Sequence, residues 1–179
     1  MTGADGRAVI ALGSNLGDRE ATIRAAVAAI DLLDGVRVAA ASGLVESFAL
    51  KPQGVDDAAP SYLNAVILAD VTLEAIDLLD AVNAIEHDHG RVRETIWGDR
   101  TLDIDLIAVG NLRCESERLT LPHPRAWQRA FVLAPWLQVD PDAVIPGHGR
   151  VADLLAAADD AVWEFPSEPL HPVDRWERA

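Results

Sequence analysis

Apolar residues recur along the chain with two periods, which predict strands and helices that alternate. Short apolar or alternating runs predict strands over Arg7–Leu12, Val36–Phe48, Tyr62–Val71 and Leu102–Val109. Apolar positions three or four residues apart predict helices over Arg19–Leu33, from Thr72 to Gly90, from Pro124 to about Leu137, and over Val151–Ala158. Strands and helices that interleave with short connections favour an α+β or α/β fold.

Residues that cap helices or lack periodicity mark the connections between these elements. Thr72 is a candidate N-cap of the second helix, and Glu74 would lie near the positive end of its dipole. Ala49–Pro60 and Arg91–Arg100 show neither period and are predicted loops.

The composition changes near residue 160. The last twenty residues mix three prolines with Trp163 and Trp176, and they show no helical or strand period. We therefore expect one domain over residues 1–160 and an ordered or partly ordered surface tail over residues 161–179, to which the sequence assigns no function.

The overall composition excludes several classes of protein. The chain of 179 residues has a net charge of −14, which excludes a generally basic nucleic-acid binder. Half of the residues are hydrophobic, enough for a sizeable core, and the single cysteine, Cys114, cannot form an internal disulfide. We find no apolar run of about 18 residues and no signal-peptide pattern. We expect a soluble cytoplasmic protein with no nucleic-acid or membrane partner.

The basic residues point to a local anion site within this acidic chain. Arginine supplies 14 of the 15 basic residues, and seven of them lie between Arg91 and Arg129 against six acids. That window has a net charge of +1, so the remainder carries −15. The rigid guanidinium fork suits phosphate, although any one of these arginines could simply face solvent.

Two carboxylates in one predicted strand offer a second clue. Asp103 and Asp105 are two residues apart, so a strand would place them on the same face, about 7 Å from each other. At an effective dielectric of about 20 their repulsion is roughly 2 kcal/mol, which a divalent cation would remove. Mg²⁺ prefers few carboxylates together with water and substrate phosphates. The alternative is a pair of solvent-facing acids on an edge strand.

Five motifs, in one order along the chain, resemble those of the 6-hydroxymethyl-7,8-dihydropterin pyrophosphokinase family. They are Ala11–Arg19 (ALGSNLGDR), Tyr62–Ala65 (YLNA), Glu86–Arg93, Trp97–Leu106 (WGDRTLDIDL) and Leu121–Arg125 (LPHPR). The resemblance runs from about Arg7 to Val151. It implies a three-layer α/β/α sandwich with a mainly antiparallel, ferredoxin-like sheet. It also implies transfer of the pyrophosphoryl group of ATP to 6-hydroxymethyl-7,8-dihydropterin in folate biosynthesis, with release of AMP.

The resemblance implies roles for individual residues. It implies that Asp103 and Asp105 bind two Mg²⁺ ions and act in the chemical step with Arg91 and Arg100. It implies that the dihydropterin lies among Leu50, Tyr62, Asn64, Trp97, Asp103 and Phe131. It implies that ATP contacts Asn83, Glu86, Arg91, Arg93, Trp97, Arg100, Ile107, His123 and Arg129. The partners are then ATP and the dihydropterin, and we expect a monomer.

The chain departs from the family pattern at two loops. Ile96 precedes Trp97 where many members have an arginine, and the loop from Arg91 to Trp97 is one residue shorter. These changes affect contacts expected with ATP. The loop Ala49–Pro60 lacks the usual consecutive prolines, so it can close over the pterin differently.

Other functions remain open from the residues alone. Gly13-Ser14 with the acidic pair also suggests a nucleotidyltransferase, although about ninety residues separate the two features. A non-catalytic ferredoxin-like module that binds a small ligand or another folate enzyme is the alternative outside enzymes. His87 and His89 could bind a transition metal, but residues two apart on a helix point in different directions. The nucleotide product discriminates the enzymes, because pyrophosphoryl transfer releases AMP and nucleotidyl transfer releases pyrophosphate.

Overall fold

The structure of the protein is a computed structural model that describes residues 6–51, 54–89 and 101–171. Its strands are β1 (Gly6–Ser14), β2 (Val36–Ala41), β3 (Leu44–Ser47), β4 (Ala49–Lys51), β5 (Gly54–Asp56), β6 (Tyr62–Val71), β7 (Asp103–Val109), β8 (Cys114–Glu115), β9 (Thr120–Leu121), β10 (Val144–Ile145), β11 (Gly149–Arg150) and β12 (Val162–Phe165). Its helices are α1 (Arg19–Asp31), α2 (Ala75–Asp88), α3 (Ala130–Val139) and α4 (Val151–Ala157), and a short 3-10 turn covers Ala126–Gln128.

Six strands form one antiparallel sheet, five of them in the order β12-β3-β6-β1-β7 and the sixth, β2, beside β6. β2 pairs with the other end of β6, so β2 and β3 follow each other along one side of that strand. The two long strands β1 and β6 therefore lie at the centre of the sheet, and β7 lies at one edge. Three small hairpins, β4-β5, β8-β9 and β10-β11, lie outside this sheet.

Helices cover both faces of the sheet. Ile23 of α1 and Leu78 of α2 are fully buried in one core cluster, together with alternate residues of β1 and β6. Leu133 of α3 and Val151 of α4 lie in a second cluster on the opposite face. This arrangement confirms the expected three-layer sandwich with a mainly antiparallel sheet. None of the helices in the described part of the chain has the length and apolarity needed to cross a bilayer.

The predicted strand over Val36–Phe48 is two strands in the structure. The chain breaks at Ser42, whose backbone N–H donates to the Val66 carbonyl and whose Oγ accepts from the Val66 N–H, each at 2.9 Å. A side chain that replaces a backbone partner interrupts the ladder at this point. The predicted loop Ala49–Pro60 contains the hairpin β4-β5.

Two helices begin later than the sequence predicts. Thr72 is not the N-cap of α2, because α2 begins at Ala75 and Glu74 occupies the cap position. The Thr72 N–H instead donates to the Gly35 carbonyl at 2.9 Å. α3 begins at Ala130 instead of Pro124. Both carboxylate oxygens of Asp160 accept from the Ala130 N–H, at 3.0 and 2.9 Å, and this distant residue supplies the acceptor that N-terminal helix donors need.

Over the residues described, the segment after residue 160 is ordered and packs against the rest of the chain. β12 pairs with β3 at the edge of the main sheet, and Leu170 is only 6% exposed against the first core cluster. Arg24 of α1 donates to the carbonyls of Glu168 and Pro169 at 2.5 and 2.7 Å. The domain boundary at residue 160 stays a prediction, but the chain beyond it contributes to the same sheet.

Candidate active site

The two acidic residues lie on one face of β7, as the alternation predicts. Asp103 and Asp105 are half-buried, whereas Ile104 between them is 3% exposed and packs in the core under α1 and α2. In the register of the sheet Asp103 lies opposite Gly13. Because glycine has no side chain, the space beside this carboxylate stays open toward the centre of the sheet.

Two hydrogen bonds fix the start of β7. Glu86 of α2 is almost fully buried, and its Oε1 accepts from the Ile104 N–H at 2.6 Å. Ser14 at the end of β1 donates from Oγ to the Thr101 carbonyl at 2.5 Å. β7 is an edge strand, and the bond from the Ile104 N–H to Glu86 supplies restraint on the side where it has no neighbour in the sheet, whereas the bond from Ser14 ties its start to β1. Both bonds position the acidic pair relative to α2 and β1.

A cavity of about 500 Å³ opens on the α3 side of the sheet, above the ends of β1, β6 and β7. It brings together eight of the residues that the sequence predicts for the site. They are Leu50, Tyr62, Asn64, Asp103, Asp105, His123, Arg129 and Phe131. The volume is in the range of pockets that hold small ligands.

Asn64 forms part of the floor of this cavity. It is 4% exposed, and its Nδ2 donates to the Ser47 Oγ at 2.9 Å. In the sheet it lies opposite Gly13 on one side and Val45 on the other. A Cβ built on Gly13 would lie 3.4 Å from the Asn64 Oδ1, so the absence of a side chain keeps this amide accessible.

A second cavity of about 370 Å³ lies between α2 and the hairpin β8-β9. Asn83 and Glu86 of α2, two residues that the resemblance assigns to ATP, line it. Four residues line both cavities, namely Asp103, Asp105, His123 and Pro124. The acidic pair therefore lies where the two cavities meet.

Two basic residues beside the acidic pair have lowered pKa values. Burial, and secondly the charge of Arg129, lower the pKa of His123 to about 4, so the ring is neutral near pH 7. The Arg125 N–H donates to His123 Nδ1 at 3.2 Å, which leaves the proton of the neutral ring on Nε2. Burial also lowers the pKa of Arg129, against the opposing charge of Asp105, but an arginine remains a cation at neutral pH.

Arg129 also contacts an aromatic wall of the larger cavity. Its guanidinium carbon lies 5.5 Å from the ring centroid of Phe131, within cation–π distance. Phe131 is the second residue of α3, so the start of this helix delivers both side chains to the cavity.

The structure leaves several predicted site residues untested. Arg91, Arg93, Trp97 and Arg100 lie outside the described residues, and so does Ile96. Ile107 is buried in the second core cluster and lines neither cavity, and its carbonyl accepts from the His123 N–H at 2.8 Å. Their roles in binding ATP stay predictions.

The sequence did not single out Phe48, Ser47 or Arg125 as residues of this cavity, yet all three line it. Phe48 and Ser47 lie at the end of a predicted strand, where no motif distinguished them. Arg125 belongs to the motif LPHPR, which could have indicated it.

The weaker metal candidate, His87 with His89, gains no support among the described residues. No group of three or more possible metal ligands occurs there. His89 is the C-cap that follows α2, and its Nδ1 lies 2.7 Å from the Ile85 carbonyl oxygen. Cys114 lies 3.8 Å from the Leu119 carbonyl within the hairpin β8-β9.

Comparisons with known proteins agree with the motifs. Residues 9–141 match the family model described as 7,8-dihydro-6-hydroxymethylpterin-pyrophosphokinase (HPPK). A "2-amino-4-hydroxy-6-hydroxymethyldihydropteridine pyrophosphokinase" of Pseudomonas aeruginosa is 40% identical over 84% of this chain and 91% of its own. One of the same name from Mycobacterium tuberculosis is 38% identical over 94% of this chain and 97% of its own.

The fold has a counterpart among solved structures. A crystal structure of a Plasmodium falciparum HPPK-DHPS superposes with a TM-score of 0.63 at 11% identity, over 85% of this chain. The aligned part is 44% of that longer chain, so the likeness concerns the fold alone. From the family match and the two relatives it follows that the chain belongs to the 7,8-dihydro-6-hydroxymethylpterin-pyrophosphokinase family.

Proposed function

We propose that the two adjoining cavities hold the two substrates of one reaction, with the acidic pair between them. As a member of its family, the protein transfers the pyrophosphoryl group of ATP to 6-hydroxymethyl-7,8-dihydropterin in folate biosynthesis. The observation that carries the assignment is that Asp103 and Asp105 line both cavities. A group that is transferred between the two bound molecules must pass beside the residues that line both cavities.

We assign the larger cavity to the dihydropterin. Tyr62 and Phe131 offer aromatic faces for stacking on a flat heterocycle, and Leu50 adds an apolar contact. The amide of Asn64 can both donate to and accept from the edge of the ring. Its hydrogen bond to Ser47 holds the amide in one orientation before substrate arrives.

We assign the second cavity to ATP. Asn83 and Glu86 line it from α2, and His123 reaches it from the other side. Arg129, which lines the larger cavity close to the shared wall, supplies positive charge for the phosphates. The proposal extends to Arg91, Arg93, Trp97, Arg100 and Ile107 as ATP contacts, and to Trp97 as a pterin contact.

The residues at the shared wall suit magnesium. Asp103 and Asp105 provide two hard carboxylate ligands, and His123 beside them is neutral, so it adds no competing positive charge. Two carboxylates are too few to enclose an ion, which fits an ion whose remaining ligands are water and phosphate oxygens. When bound, Mg²⁺ supplies neutralisation of the charge that develops on the transferred group. We propose two such ions.

The chain's own residues then act mainly by position and charge. The stacked ring directs the hydroxymethyl group toward Asp103, and Arg129 neutralises phosphate charge where the cavities meet. Arg91 and Arg100 are proposed to stabilise the charge of the transferred group in the same step. No described side chain is an evident general base, so we propose that water accepts the hydroxyl proton.

The nucleotide product tests the proposed function. The full chain is incubated with ATP, MgCl₂ and 6-hydroxymethyl-7,8-dihydropterin, and the nucleotides are separated. We expect AMP and the pterin diphosphate in equal amounts. ADP would indicate an ordinary kinase, and free pyrophosphate would indicate nucleotidyl transfer; either result would overturn the proposal.

A cytoplasmic monomer is also part of the proposed function, and the mass in solution, measured by light scattering, tests the oligomeric state.

A further inference from the structure

An aromatic contact links the edge strand β12 to the larger cavity. Phe48 lines that cavity, and its ring centroid is 5.0 Å from that of Trp163 with the planes at 64°. This is an edge-to-face arrangement, which stabilises a pair by about 0.5–1.5 kcal/mol beyond the area it buries. Both residues remain more than a third exposed.

A polar contact fixes the other end of the indole. Trp163 Nε1 donates to Glu46 Oε2 at 3.0 Å, and the two residues lie opposite each other in the pairing of β12 with β3. An indole held by its N–H and supported along its backbone keeps one orientation. Phe48 therefore packs against a fixed surface.

Glu46 connects this contact to a second wall of the cavity. Its Oε1 accepts from Arg19 at 3.0 Å and from the hydroxyl of Ser61. Although its partial burial acts to raise its pKa, hydrogen bonds from Ser61, Arg19 and Trp163 lower the pKa of Glu46, which keeps it a carboxylate. Ser61 directly precedes Tyr62, which lines the cavity.

We propose that Trp163 is a positioning residue for the pterin cavity, acting by contact with Phe48 and through Glu46 and Ser61 on Tyr62. The inference rests on the proposed assignment of the larger cavity to the pterin. Trp163 itself does not line the cavity, so it touches neither substrate nor the reacting atoms. Its effect is therefore on the affinity for the pterin and not on the chemical step.

Binding of oxidised 6-hydroxymethylpterin, measured by calorimetry without ATP, tests the inference. We expect Trp163→Leu and Phe48→Leu each to raise the Kd roughly fivefold, which corresponds to about 1 kcal/mol. The double variant should raise it by less than the product of the two single effects, because both changes remove the contact between Phe48 and Trp163. Trp163→Phe keeps a ring and should recover most of the affinity.

A neighbouring substitution and the kinetics separate positioning from a general loss of structure. Glu164→Ala alters the adjacent exposed residue of β12, and we expect a Kd within about twofold of that of the unaltered protein. In steady-state assays Trp163→Leu should raise the KM for the pterin and leave kcat and the KM for ATP unchanged.

Three results would overturn the inference. They are an unchanged Kd in Trp163→Leu, additive effects in the double variant, and an equal rise in the KM for ATP. If Trp163→Leu does not fold, Phe48→Leu and Trp163→Phe decide in the same assay. Failure of the proposed function is distinct, since the unaltered protein would then bind no pterin or release no AMP.

Discussion

At the scale of single residues, an amide substitution at Asp103 separates the effect of the charge of this side chain from the effect of its shape. Asp103→Asn keeps the volume of the side chain and removes the charge that would bind Mg²⁺. We expect kcat to fall by at least about 100-fold, because charge neutralisation at the transferred group is lost. Turnover is measured with ATP and dihydropterin at saturating MgCl₂.

The matched control for this prediction is Asp57→Asn in the exposed turn after β5. It makes the same chemical change outside both cavities and should leave kcat unchanged. Circular dichroism should be the same for both variants. Retained turnover in Asp103→Asn would contradict the metal role.

Gly13 offers a test of the cavity floor at the same scale. A Cβ at this position meets Asn64 Oδ1 at 3.4 Å and Tyr62 Cδ1 at 3.6 Å, both ordinary van der Waals distances. We therefore expect Gly13→Ala to fold with a free energy of unfolding within about 1 kcal/mol of the original. The added methyl group lies in the floor of the cavity and should weaken pterin binding. A Kd equal to that of the unaltered protein would place the pterin elsewhere.

His123 predicts a pH dependence of stability. Its pKa is about 4 in the folded protein against 6.5 as the ordinary value, so between these values the unfolded chain binds a proton that the fold does not. The stability that the neutral ring contributes above pH 6.5 is lost as the pH falls toward 4. The variant His123→Gln has no group that titrates here. The free energy of unfolding that it loses between pH 7 and pH 5 should therefore be smaller than that of the unaltered protein by about 1 kcal/mol, allowing for the exposed part of the ring.

Urea unfolding at both pH values measures this difference, and His87→Gln on the exposed face of α2 is the control. The control should show the same dependence on pH as the unaltered protein. An identical dependence in His123→Gln would contradict the burial of a neutral ring.

At the scale of elements, the contact between α2 and β7 decides where the acidic pair lies. Glu86 is 1% exposed and accepts the Ile104 N–H at 2.6 Å. Glu86→Ala leaves that donor without its acceptor in a buried place and should cost about 2 kcal/mol of stability. Because β7 then loses an anchor at its first residues, kcat should fall as well.

Glu86→Gln is the comparison, since its amide oxygen can still accept the bond. It should retain more of the stability than Glu86→Ala, as measured by thermal or urea unfolding. Equal stability in Glu86→Ala and the unaltered protein would show that the bond does not anchor β7.

Which elements the sequence could predict depends on how local their causes are. The helix α1 begins at Arg19 as predicted, because the preceding residue, Asp18, caps it. The Asp18 carboxylate accepts from the N–H of Ala21, three residues further along. Thr72 could serve as a cap by its type, yet its backbone N–H binds Gly35, whose positive φ forms the turn after α1. The late start of α3 depends on Asp160, thirty residues further along.

At the scale of the whole molecule, the same limit applies to the site. The alternation of Asp103 and Asp105 and the motifs around Tyr62 and His123 predicted residues that the fold brings to the cavities. Phe48 was not predicted to line a cavity, and β12 was not predicted to pair with β3 beside it. The place of β12 depends on a pairing between residues more than a hundred positions apart, which no local sequence pattern indicates.

A truncation tests whether the chain divides at residue 160. A protein that ends there lacks β12 and the burial of Leu170, and it exposes the paired edge of β3. We expect a lower Tm and more aggregation, since an open strand edge can pair with other chains. A protein that ends at residue 171 keeps every contact described for this segment and is the comparison. Equal Tm values for the two would support the predicted boundary.

The position of β12 along the chain has a consequence for synthesis in the cell. The ribosome makes β1, β3, β6 and β7 before it makes β12, although β12 pairs with β3. A nascent polypeptide can therefore form the centre of the sheet while the support for Phe48 is still untranslated. If Trp163 positions the pterin cavity, affinity for the folate precursor matures only once this late strand has left the exit tunnel.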